Sequence, residues 1–236
     1  MLVNGTSGSG KTTAVNQIVK ELFRQGHYIV YLDFSHSCTP KQLASHGIEE
    51  TFQKDNILRS RLESVLENPE ELTSALEIVQ EENSILLFET ETYSDEVESF
   101  LTLLYEKVSE REELEIFLVI DEVHELNYAK GSPLYHIMEI GRRNGISLIS
   151  IFQGPHQTKP KQYIMMNQSD IKLIFKLTDR KDAEDVAKSD ALKPPGKFIE
   201  KIRKLAKHHC LVIGNLEDSD GELENDRFVE VTVPEI

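Results

Sequence analysis

The sequence predicts an α/β fold with a mostly parallel central sheet flanked by helices. Three observations carry this. Apolar, β-branched runs alternate along the chain with stretches of helical periodicity, the pattern of βαβ units. Two of those runs, LEIFLVIDE (114–122) and ISLISIFQ (146–153), are apolar without alternation, as strands covered on both faces are. A glycine- and hydroxyl-rich run, GTSGSGKTT (5–13), stands between an apolar stub and an amphipathic stretch.

The elements follow in order. Only Leu2, Val3 and Asn4 lie between Met1 and the glycine-rich run, so its strand is expected to be unusually short, or this chain begins after a segment of a longer protein. Ala14, Val15, Ile18, Val19, Leu22 and Phe23 recur at helical spacing, and Gly26 ends that helix. HYIVYLDF (27–34) reads as a buried strand. Residues 40–83 read as an acidic helical insertion after this second strand. Within it Asn68-Pro69-Glu70-Glu71 marks a helix start, with a capping side chain, a first-turn proline and carboxylates at the positive end of the dipole. ILLF (85–88) is a short strand, and Val97, Leu101, Leu104 and Val108 mark the next helix. Leu134, Ile137, Met138 and Gly141 predict a helix ending near Asn144-Gly145. IKLIFKL (171–177) is a strand, a helix follows at about 179–189, and KPPGK (193–197) reads as a turn. CLVIGNLE and RFVEVTV predict a C-terminal hairpin over 210–233. The whole chain, 1–236, is expected to be one domain.

Composition narrows the function classes. The chain of 236 residues is 39% hydrophobic and 28% charged, which suits a globular core. No apolar run approaches the ~18 residues of a membrane span, and no signal peptide opens the chain. Cys38 and Cys210 are far apart and form no CxxC, which fits a reducing compartment, so a cytoplasmic location is expected. The net charge of −15 is uneven: residues 49–125 hold 23 acidic and 5 basic side chains, whereas 154–209 hold 13 basic and 7 acidic ones. The first figure argues against indiscriminate coating of nucleic acid. The second leaves a confined contact with phosphates open, beside the plainer reading of a solvated face.

The chemistry sits in four places. Gly5 to Thr12 satisfies G-x-x-x-x-G-K-[ST], so Gly5, Thr6, Ser7, Gly8, Ser9, Gly10, Lys11, Thr12 and Thr13 form a candidate phosphate cradle. Small residues let successive N–H groups curl around an anion, and the following helix points its positive end at it. Lys11 would reach the β- and γ-phosphates, and the Thr12 hydroxyl is placed to ligate Mg²⁺. Asp121, after four or more apolar residues, is the second candidate Mg²⁺ ligand, and Glu122 is placed to polarise an attacking water. Such a pair favours hydrolysis of a nucleotide over mere sensing of it, with water rather than an alcohol as the nucleophile. Gln153 closes the next apolar strand, at the carboxyl edge where ligands of open parallel sheets gather. Arg142 and Arg143 end the helix before that strand. They either compensate the helix dipole, worth ~0.3–1 kcal/mol, or supply an arginine finger to a neighbouring subunit.

Other candidates are weaker. His208-His209-Cys210 lacks a second ligand pair at zinc spacing and reads as structural. His124 either relays between nucleotide and DNA or has a surface role. The loop 217–226 is acidic without calcium-loop spacing. Cys38 has no partner base in view.

Taken together, GTSGSGKTT, FLVIDEVHEL, IGRRNGISLISIFQGP and IKLIFKLTDRKDAEDVAKS make the chain resemble the HerA/FtsK superfamily of ring-forming DNA motors. The order and spacing of the four carry this more than any one. The resemblance implies a P-loop NTPase of the RecA-like, additional-strand catalytic-glutamate class, with ATP and Mg²⁺ as cofactors. It implies that Gln153 senses the γ-phosphate, that Arg142 or Arg143 reaches a neighbour's nucleotide, and that a hexameric ring surrounds duplex DNA. The family's usual N-terminal β-barrel is expected to be missing, and the compact length is similar to that of viral genome-packaging ATPases. The function expected is therefore an ATP-hydrolysing motor that moves duplex DNA. A second expectation is a switch that docks a protein effector, such as a nuclease, on the acidic 40–125 surface.

Overall fold

The apolar stub ahead of the glycine-rich run is strand β1 (Leu2–Gly5), buried at all four positions. The computed structural model describes residues 1–34, 57–82, 84–90, 95–111, 113–127, 129–153, 168–189, 195–214 and 228–234. Nine strands form a mostly parallel sheet. The chain clusters into two compact units, Met1–Val15 with Ile151–Glu235, and Asn16–Ser150. Helix α1 (Lys11–Arg24) and strand β6 (Ile146–Gln153) contribute residues to both.

In the first unit the strand order is β6-β1-β7-β8-β9. β1 pairs in parallel with β7 (Lys172–Phe175), with Asn4 opposite Ile174. Two antiparallel strands follow, β8 (His209–Ile213) on β7 and β9 (Phe228–Thr232) on β8. They realise the expected hairpin, whose loop 217–226 lies outside the described residues. Helix α6 (Arg180–Ser189) matches the predicted one and buries Ala183, Val186 and Ala187. The turn read over 193–197 is corrected: helix α7 (Pro195–Lys204) begins inside it and buries Phe198 and Ile202. Proline is suited to a first helical turn, where its missing N–H has no partner to lose.

In the second unit the order is β3-β4-β2-β5-β6, all parallel. β2 (Tyr28–Asp33) and β5 (Ile116–Ile120) are central and almost wholly apolar, the composition that two covered faces require. β6 borders β5 here and β1 in the other unit, the added strand that the fold class expects. The segment 40–83 departs from an all-helical reading. Its residues 40–56 lie outside the described residues, and Ile57–Ser60 forms strand β3 at the sheet edge, paired with β4 (Ile85–Glu89). A four-residue strand carries too little periodicity to show in sequence; the open edge of β4 recruits it. Helices α2 (Leu62–Glu67) and α3 (Pro69–Glu82) follow, and Glu71 N donates to Asn68 O at the predicted start. Helix α4 (Asp95–Ser109) buries Val97, Phe100, Leu101, Leu104 and Val108, and Phe88 of β4 meets Phe100 at 4.5 Å between centroids. Helix α5 (Pro133–Ile140) is N-capped by Ser132, whose Oγ accepts from Tyr135 N.

Candidate nucleotide site

The glycine-rich run is a tight loop between β1 and α1. Glycine is required at Gly5 by close approach, because a Cβ there would lie 2.6 Å from Phe175 Cβ on β7. Thr6 is tied to the residue after β7: its N–H and its Oγ1 both donate to Lys176 O, at 3.1 Å each. Ser9 N donates to Thr6 O, closing the loop on itself. Gly10, at φ +106°, faces His208, whose Nδ1 would stand 2.9 Å from a Cβ at that position. Lys11 is buried, and its Nζ donates to Gly5 O at 2.9 Å and Thr6 O at 3.0 Å. A buried ammonium at the mouth of a loop of backbone N–H groups favours an incoming anion. Ser9 Oγ is buried and makes no hydrogen bond among the described residues. Ser7 and Gly8 are exposed at the mouth, while Thr12 and Thr13 are half-buried on the first turn of α1. A cradle of this shape, with one orphan hydroxyl and one poised cation, fits a nucleotide's phosphates.

The acid pair belongs to the second unit. Asp121 follows β5 directly; its N–H donates to Leu32 O on β2 at 3.1 Å, and its Oδ1 accepts from Glu122 N at 2.9 Å. Glu122 occupies the left-handed region, at φ 47° and ψ 37°. For a residue with a Cβ this costs roughly 1–2 kcal/mol. Its Oε2 lies 3.2 Å from His124 Nδ1, and both side chains are largely buried. His124 thus faces the carboxylate rather than solvent. No cluster of three His, Cys, Asp or Glu side chains capable of holding a metal stands among the described residues. Mg²⁺ does not need one, since one or two oxygen ligands plus phosphates suffice.

Arg142 and Arg143 are exposed on a 3₁₀ turn (Gly141–Asn144) after α5. The turn is anchored by Asn144 Nδ2, which donates to Tyr105 Oη and Ile140 O. Gln153 is the last residue of β6, and its side chain lies outside the described part of the structure.

Two residues escaped the sequence reading, and a third, His208, was read only as structural. Asp33 ends β2 fully buried, beside the Leu32 carbonyl that receives Asp121. An acid closing an apolar strand was its signal, the same one that marked Asp121. Asn4 is fully buried one residue before the loop, and neither amide atom has a hydrogen-bond partner among the described residues. His208 adopts φ 62°, and its N–H donates to Ser9 O at 3.0 Å. Its neighbours have other roles. His209 lies 3.2 Å from Glu230, whose carboxyl is held below its ordinary pKa chiefly by a hydrogen bond from Lys201. The Cys210 thiol is pushed up to about 11, first by burial and then by the charge of Glu230.

Residues 1–158 match the AAA domain family, a span that includes every candidate site residue. The chain belongs to that family. It is a nucleotide-binding P-loop NTPase, and its loop geometry fits that chemistry. A search of curated proteins finds no match. Among solved structures, the genome packaging NTPase B204 from Sulfolobus turreted icosahedral virus 2, in complex with AMP, is 14% identical, with 90% of each chain covered and a TM-score of 0.61. VirB4 of Thermoanaerobacter pseudethanolicus is 11% identical, covering 100% of this chain and 89% of its own, with a TM-score of 0.63. The bacterial conjugative coupling protein TrwBdeltaN70 is 13% identical, covering 98% and 83%, with a TM-score of 0.57. At such identities this AAA domain shares their fold, a mostly parallel sheet flanked by helices.

Proposed function

We propose that the chain is an ATP-hydrolysing motor of HerA/FtsK type that moves duplex DNA as a homo-oligomeric, hexameric ring in the cytoplasm. The observation that carries this is the closed Gly5–Lys11 loop, with Lys11 Nζ buried against two carbonyls. The shared fold with a genome packaging NTPase and a conjugative coupling protein supports a DNA substrate. No helix among the described residues is long and apolar enough to cross a membrane.

In this reading the loop amides and Lys11 bind the phosphates and orient the γ-phosphoryl group. Thr12 and Asp121 hold Mg²⁺, which neutralises phosphate charge when bound. Glu122 accepts the proton of the attacking water, and its left-handed backbone sets the direction of its carboxylate. Gln153 reads the γ-phosphate. Arg142 or Arg143 of one copy stabilises charge at the site of the next, a role their exposure allows.

A second reading, a nucleotide switch on a protein effector, draws on the exposed carboxylates of α2 and α3, among them Glu63, Glu67, Glu70, Glu71, Glu81 and Glu82. ATPase assays with and without duplex DNA, across a salt series, separate the two. The motor requires stimulation by DNA that fades as salt rises. Stimulation by a protein partner and none by DNA selects the switch. Sedimentation with and without ATP tests the ring; a monomer in both conditions removes the trans-arginine role.

A further inference from the structure

Residues 195–208, which span α7 and the turn into β8, hold five Lys or Arg side chains and one carboxylate, Glu200, in a chain of net charge −15. Lys201 is committed to Glu230 at 3.2 Å. The side chains of Arg203, Lys204 and Lys207 are exposed and make no ion pair or hydrogen bond among the described residues. Their direction is set by packing. Phe198, Ile202 and Leu205 are buried, and Arg203, Lys204 and Lys207 fall on the opposite, exposed side. The next residue turns the other way. His208 N donates to Ser9 O of the phosphate loop at 3.0 Å, and His208 O accepts from Val233 N at 2.7 Å. Its ring stands against Gly10. One short segment therefore presents unpartnered cations on one side and holds the nucleotide loop on the other.

We infer that the turn between α7 and β8 contacts the sugar-phosphate backbone of duplex DNA, and that His208 passes this contact to the phosphate loop. The inference rests on the DNA-motor reading and adds to it the surface that meets DNA and its link to the nucleotide. Exposed lysine and arginine side chains on a turn suit phosphates, so the contact is independent of sequence. A basic helix C-terminus also complements its own dipole, but that role alone predicts no effect on DNA binding.

The test is fluorescence anisotropy of a short fluorescein-labelled duplex titrated with the full chain across a salt series. Against wild type, the triple variant Arg203→Ala/Lys204→Ala/Lys207→Ala loses affinity at low salt. Its slope of log K against log salt becomes shallower by about 2.7, roughly 0.9 for each lost phosphate contact. Arg24→Ala, removing an α1 cation paired to Glu21, leaves the slope unchanged. His208→Gly keeps the left-handed backbone, the N–H bond to Ser9 O and the DNA affinity, but it removes the ring beside Gly10 through which the contact passes and so loses DNA stimulation of kcat. Equal thermal melting of the variants and wild type confirms that each is folded. A triple variant with the wild-type slope overturns the contact. So does a triple variant that sediments as a smaller species than wild type, since the turn then joins copies of the chain. Full DNA stimulation in His208→Gly overturns the coupling. Salt-dependent binding absent from wild type itself overturns the motor reading as well, which distinguishes the two failures.

Discussion

The phosphate loop and the acid turn solve opposite problems. Between Thr6 and Lys11 the loop is tied down from three directions: to Lys176 beyond β7, to His208 before β8, and to itself through Lys11 and Ser9. Its glycines relieve what would otherwise be strain. The turn after β5 keeps its strain. Glu122 carries a full side chain at φ 47°, a conformation that glycine adopts without cost, and meets His124 at 3.2 Å. The contrast teaches that a backbone cradle and a single aimed side chain make different demands on the chain. A phosphate cradle works by preformed backbone donors, so it can be relaxed and rigid at once. Glu122, by contrast, is held by a backbone it would not choose, and strain of that kind gathers at functional sites.

The variants that break this contrast can be ranked by expected effect. Glu122→Gln keeps the side chain's shape and removes its basicity; kcat falls by about 10²–10⁴-fold while nucleotide binding persists, measured by steady-state ATPase and by fluorescent-nucleotide titration. Turnover near the wild-type rate would falsify the assignment of the base. Lys11→Ala removes a charged hydrogen-bond donor to phosphate, worth about 1.5–3 kcal/mol, so nucleotide Kd rises by roughly 10–100-fold. An unchanged Kd in the same titration would show that the loop amides act alone. Gly5→Ala forces a Cβ to 2.6 Å from Phe175 Cβ. It should lower stability by about 1–3 kcal/mol, read from urea unfolding.

Glu122→Gly sharpens the comparison from the other side. Left-handed strain is relieved, partly offset by the greater freedom of the unfolded chain, so stability should rise by about 1 kcal/mol as activity is lost. A destabilised variant would mean that the His124 contact outweighs the strain. The smallest effect concerns the frame behind the loop. In a Cys38→Ser background, Cys210 should resist thiol reagents in the folded state, its thiol being held up to about 11. Because the folded pKa is raised, its contribution to stability is intact below the ordinary thiol range. It fades as pH climbs through 11, so fast labelling at pH 8 without unfolding would contradict the packing of β8.

Much of this was legible in the residues alone. Gly5 to Thr12 declared a phosphate loop because backbone cradles need small residues at fixed spacing, and that need is local. β5 and β6 declared themselves as central strands because two covered faces leave no polar alternation. Helix α4 was readable from Val97, Leu101, Leu104 and Val108, which pack as one stripe. What the sequence could not show depended on partners distant in the chain. Strand β3 exists because β4 has an open edge, not because Ile57–Ser60 has strand periodicity. Helix α7 was hidden because Pro195 and Gly196 read as turn residues until Phe198 and Ile202 find a core to enter. The left-handed backbone of Glu122, the His124 contact and the brace from His208 to Ser9 carry no residue pattern at all. Sequence determined which groups could do the chemistry, through local geometry and composition. Tertiary structure decided which were strained, which were braced and which faced out, because those properties are set by whatever the rest of the chain packs against them.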